Sequence, residues 1–217
     1  MDFREGASVK SWFLIALAIG ASPAAAEERL SRAEREAVAA TPEQIADRAD
    51  IQNDPLDTVI RVSTQPFYQQ RQGLLRVTNG DKFMRAFIDK NTREVRYQLY
   101  LWTSYQAQQA ARMNRLNYES QDGPGQAELH LIDTQVIGCG RYGCTYQEHI
   151  AADIPVETLR WVASQAQPGV DQSWQVRVFA QSGEAINTGI LRTEVAGILL
   201  AVERQLASLP AVSRNSR

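Results

Sequence analysis

The chain has 217 residues, 44% hydrophobic and 22% charged, with a formal net charge of −2 from 23 basic and 25 acidic side chains. That length suits one domain with a tail, and the apolar share is ample for a core and too high for a disordered protein. The near-neutral balance provides no global field for nucleic acid or an anionic membrane.

Residues 1–26 have the order of an export signal. Arg4 and Lys10, offset by Asp2 and Glu5, precede the apolar run Trp12–Ala21, and Ala24-Ala25-Ala26 follows. The run is too short for a membrane helix, which needs roughly 20 apolar residues, and Ala24-x-Ala26 marks a cleavage point. The alternative is a short buried helix. Cleavage leaves a chain without a membrane span, placed in a periplasm or secreted.

Residues 27–56 form an Ala/Glu/Arg-rich arm, helical or flexible. The spacing predicts a thin helix over 28–40 and a second over 42–50, with Thr41 as its cap and Pro42 in its first turn. From residue 57 the period becomes two. Val59, Ile60 and Val62 predict a strand, and Leu74–Thr78 another, ending at the turn pair Asn79-Gly80. Lys82–Ile88 and Glu94–Tyr105 read as a hairpin about Asp89–Arg93. With Asp89 opposite Glu94, one face carries Met84, Ala86, Ile88, Val95, Tyr97 and Leu99 and is core. The other carries Phe83, Arg85, Phe87, Arg96, Gln98 and Tyr100, with Trp102 beyond.

Gln106–Asn114 reads as weakly helical and Asp122–Gly125 as a loop. Gln126–Ile137 and Cys144–Ile154 form a second hairpin, clamped by a Cys139–Cys144 disulfide at its turn. Export supplies the oxidising compartment, and the spacing is neither Cys-x-x-Cys nor a zinc site. Pro155–Gln165 is a helix, Trp174–Gln181 a strand, Ser182-Gly183 a turn, and Ala185–Leu191 a short strand. Thr193–Leu206 is the best helix, with Val195, Ile198, Leu199 and Val202 on one side and Thr193 as cap. The expected fold is α+β: a twisted antiparallel sheet of about six strands with two helices on one face. A single domain spans 57–209, and 210–217 is a frayed tail.

The disulfide sets a register that tests catalytic candidates. If Cys139 faces Cys144 without interruption, His130 falls opposite Asp153 and His149 opposite Thr134. A His–Asp pair can orient an acid/base device, or be an ordinary cross-strand ion pair. Asp133 and Glu148, with Gln135, would share the disulfide's face, where a carboxylate could act as a general acid. The two histidines lie roughly 13 Å apart on this register, too far for a shared metal. There is no Gly-x-Ser-x-Gly elbow, His-Glu-x-x-His motif or Gly-x-x-x-x-Gly-Lys loop, and no cofactor or metal is expected.

Aromatics interleaved with Arg and Gln suit stacking and hydrogen bonding. Phe87, Arg96, Gln98, Tyr100 and Trp102 therefore become the expected binding residues, for an envelope partner protein or a glycan polymer, unless the helix at 193–206 packs over them. The expected function is a non-enzymatic exported binder. The alternatives are a hydrolase using His130–Asp153 or Asp133 and Glu148, and an assembly subunit that associates through its arm.

Overall fold

The computed structural model describes residues 32–64, 70–72, 78–170 and 172–210. The expected export signal lies outside them, as do Leu74–Val77 of an expected strand and most of the tail. Two short helices, α1 (Arg32–Ala39) and α2 (Pro42–Asp47), open the chain. Thr41 caps α2 in a reciprocal box: its hydroxyl accepts from the Gln44 N–H while Gln44 Oε1 accepts from the Thr41 N–H. The helix stops at Asp47, earlier than the spacing predicts, and Asp50–Gln52 becomes the short strand β1.

The arm is packed down. Ala37, Val38, Ile45 and Ala46 are buried, and Asp47 meets Arg204 at 2.6 Å. Further along the arm Ile51 and Leu56 remain exposed.

The first large sheet contains β1, β2 (Val59–Ser63), β4 (Thr78–Asp89), β5 (Val95–Ala107), β9 (Gly143–Asp153) and β8 (His130–Gly140), in the order β1–β2–β4–β5–β9–β8. A short β3 (Gln70–Gln72) pairs beside β4. The β4–β5 register is the expected one, with Met84 opposite Leu99, Ala86 opposite Tyr97 and Phe83 opposite Tyr100. Asn79-Gly80, expected as a turn, lies inside β4: β3 pairs with it there, while β5 extends far enough to put Trp102 opposite Asp81. Pairing with β3, in a strand whose next residues pair with β5, outweighs the local turn preference.

A second antiparallel sheet has the order β11 (Ala185–Leu191), β10 (Ser173–Ala180), β6 (Met113–Ser120) and β7 (Gly123–Glu128). It takes residues expected elsewhere. Met113 and Asn114 leave the expected weak helix for β6, Gly123–Gly125 leave the expected loop for β7, and Gln126–Glu128 leave the second hairpin for β7. Leu129 is the point of exchange. Its N–H donates to the Asn114 carbonyl of the second sheet at 3.0 Å, and the next residue begins β8.

Helices α3 (Val156–Ala163) and α4 (Arg192–Ser208) close the core. Thr193 is not the cap of α4; the helix starts after Leu191 with no side-chain cap, and Thr193 is buried in its first turn. Val195, Ile198, Ala201 and Val202 of α4 share one core with Ile60, Val62, Met84 and Leu99 of the first sheet and Leu116, Trp174 and Val176 of the second. Gly197 permits close approach of α2: a Cβ there would lie 2.4 Å from Ile45 Cγ2.

Candidate functional site

The helices cover the inner face of the first sheet, so the outer face keeps the alternate side chains of β2, β4, β5 and β9. The register sets them in rows. Arg61 lies opposite Phe87 and Phe87 opposite Arg96; Arg85 lies opposite Gln98 and Gln98 opposite Asp153; Phe83 lies opposite Tyr100; Trp102 lies opposite His149. The five expected binding residues thus stand on one face, apart from the helix at 192–208. Arg61, His149 and Asp153 join them. Arg61 was legible, because Ile60 and Val62 point inward; His149 and Asp153 arrive only through the β5–β9 pairing.

Phe87 is the centre of a guanidinium cluster. Arg96, Arg85 and Arg61 lie over its ring at 4.9, 5.3 and 5.9 Å, and Arg85 also lies 4.8 Å from the Tyr100 ring. Gln98, which is buried, links the cluster to an acid: Arg85 Nε donates to its Oε1 at 2.9 Å, and its Nε2 donates to Asp153 Oδ1 at 2.7 Å. Asp153 also faces Arg96 at 3.9 Å. Burial, countered by Tyr100, pulls the Arg85 guanidinium below its usual range, where it still stays charged.

Tyr100 stacks on Phe83 at 4.6 Å and its hydroxyl meets His149 Nδ1. His149 in turn stacks on Trp102 at 6.0 Å. The Trp102 indole nitrogen is enclosed and has no acceptor among the described residues. Beside Phe87 a groove of about 750 Å³ is lined by Arg61 and Arg96, with Asp57, Asp89 and Glu94 among its acidic neighbours. The face can stack flat apolar surfaces on its rings and offer guanidinium donors beside them.

The catalytic candidates do not assemble. Two bulges in β8, between Leu131 and Asp133 and between Val136 and Gly138, each absorb a residue. The expected alignment therefore holds at Cys139–Cys144 and is lost further out. His130 faces Ala151, and Asp153 lies beyond the last β8 pair. Asp133 faces His149 on the outer side while Glu148 faces Thr134 on the inner side, so these two carboxyl groups do not converge. Asp133 is exposed and accepts from Gln135 Nε2 at 2.7 Å.

Glu148 is fully buried in a structural post. Its oxygens accept from the backbone N–H of Arg112 at 3.1 Å and of Met113 at 3.3 Å. The Tyr105 hydroxyl accepts from the Ala111 N–H at 2.7 Å, and burial, reinforced by Glu148, raises the Tyr105 phenol well above its usual range.

No group of three or more His, Cys, Asp or Glu side chains among the described residues could hold a metal. The Cys139–Cys144 disulfide is formed and suits an oxidising compartment. Gly138, Gly140 and Gly143 have the spacing of a dinucleotide-binding glycine run. They close a strand-to-strand hairpin, however, with no helix N-terminus to receive a pyrophosphate. Among the described residues no helix is long and apolar enough to cross a membrane. Comparison with family models, with curated proteins and with solved structures returns no match.

Proposed function

We propose that this chain is an exported, non-enzymatic binder that holds a glycan polymer of the cell envelope against the outer face of its first sheet. The observation that supports this is the Phe87 ring under three guanidinium groups, continued along the face by Tyr100 and Trp102. Sugar rings stack their C–H faces on such aromatics, and the Arg and Gln groups supply donors at the ring edges. The signal-like residues 1–26 and the disulfide support a periplasmic or secreted location. A partner protein with an acidic surface is the second occupant of the same face, favoured by the Arg61, Arg85 and Arg96 cluster.

The test is retention of the purified protein on insoluble envelope polysaccharide, with Trp102→Ala and Arg96→Ala beside the wild type. Each stacking or guanidinium contact should account for roughly a two- to tenfold change in affinity. Arg177→Ala, on the exposed side of β10, serves as the control and should bind like the wild type. Equal retention of all four proteins would exclude this face as the binding surface. A large fall in the melting temperature of Trp102→Ala would mean that its ring serves the core.

A further inference from the structure

Among the described residues, strand β8 forms one edge of the first sheet and pairs with β9 alone. It is long for an edge, running from His130 to Gly140, and every one of its residues is exposed. Natural edges are blunted by lysine, proline or brevity. The run His-Leu-Ile-Asp-Thr-Gln-Val-Ile-Gly-Cys-Gly has neither lysine nor proline, and its protection is limited to two bulges and the single charge of Asp133. It carries Leu131, Ile132, Val136 and Ile137 at 48–59% exposure, with Tyr142 in the adjoining turn at 76%. Together these side chains leave on the order of 500 Å² of apolar surface along the edge and its turn.

We infer that this edge pairs with the same edge of a second copy of the chain. An antiparallel strand can meet itself across a two-fold axis, so that each contact occurs twice. With the axis at Thr134, Leu131 of one copy meets Ile137 of the other, Ile132 meets Val136, and Asp133 meets Gln135. Every apolar residue of the strand gains an apolar partner. The Asp133–Gln135 hydrogen bond within one chain, at 2.7 Å, shows that these two side chains suit each other.

Leu131, Thr134 and Val136 lie opposite Ile150, Glu148 and Tyr146 of β9, on a single side of the sheet, while Ile132 and Ile137 are the bulge residues and have no β9 partner. Complete burial of this surface in both copies would remove on the order of 1,000 Å², the lower bound for a specific interface, and the backbone ladder adds to it. The outer aromatic faces of the two copies would then lie on one continuous sheet.

The experiment is sedimentation velocity on the purified protein with its disulfide intact, up to about 100 µM. The wild type should form a dimer. Val136→Lys, which puts a charge on the paired edge, should weaken it at least about tenfold while leaving the melting temperature unchanged, since the side chain is exposed. A short thiol cross-linker should join Thr134→Cys to its own copy, and should leave Gln126→Cys on β7 uncoupled. A wild type that stays monomeric, or a dimer that survives Val136→Lys, overturns the inference. Cross-linking of Gln126→Cys in place of Thr134→Cys would also overturn it.

Discussion

Removing the Glu148 side chain tests the claim that this residue holds structure rather than performing chemistry. In Glu148→Ala the N–H of Met113 and that of Arg112 lose their acceptor together. Met113 is buried, so its N–H should carry most of an unpaired-donor penalty of about 1–3 kcal/mol, and Arg112, nearer solvent, a smaller one. The vacated space adds a cavity term, for a total of roughly 3–5 kcal/mol. Arg112 also sits in the left-handed region at φ 52°, a conformation a non-glycine residue keeps only when its surroundings hold it. Glu148→Gln retains the shape and one acceptor oxygen but turns an amide N–H₂ towards the other donor, so about half that loss is expected. For a chain of this size the alanine variant should melt roughly 10 °C lower, measured by circular dichroism. The loss should be accompanied by faster amide exchange at Arg112 and Met113. An alanine variant melting within about 2 °C of the wild type would refute the post, and would return Glu148 to the catalytic candidates.

Gly197→Ala places a Cβ 2.4 Å from Ile45 Cγ2, so overpacking of about 1–3 kcal/mol should outweigh the ~1 kcal/mol gain in helix propensity. Calorimetry should show the loss, with α2 exchanging faster. The Asp89 carboxyl accepts from the N–H groups of Thr92 and Asn91, which hold it below the usual carboxylate range. Its stabilisation is present above the unfolded value and is lost as pH falls through the lowered folded one. The stability gap between wild type and Asp89→Ala should therefore be full at neutral pH and close in acid; a gap independent of pH would count against the turn contacts. Reduction of Cys139–Cys144 opens a loop far shorter than the fifteen-residue loop associated with ~3 kcal/mol, so a smaller loss is expected. Exchange should speed up only around Gly138–Thr145, and global unfolding on reduction would contradict this.

The first hairpin and its two faces were readable from residue order because neighbours in sequence pair across one tight turn. Asp89 N–H donates to the Glu94 carbonyl at 3.0 Å, and alternation then assigns each side chain outward to Trp102. The Thr41 capping box, the disulfide and the amphipathic α4 are likewise local, each set by residues a few positions apart. Pattern failed where a partner distant in sequence decided the outcome. Nothing local marks Leu129 as the point where one extended run leaves the second sheet for the first, because both halves are equally strand-like. Nor does local pattern reveal the β8 bulges, which arise from accommodating that strand beside β9 and which displace His130 from Asp153. The candidate site divides in the same way: Phe87, Arg96, Gln98, Tyr100 and Trp102 follow from period-two alternation. Arg61, His149 and Asp153 reach them only because long-range strand pairing laid β2 and β9 alongside, and tertiary burial turned Glu148 from a reactive prospect into an acceptor for backbone donors.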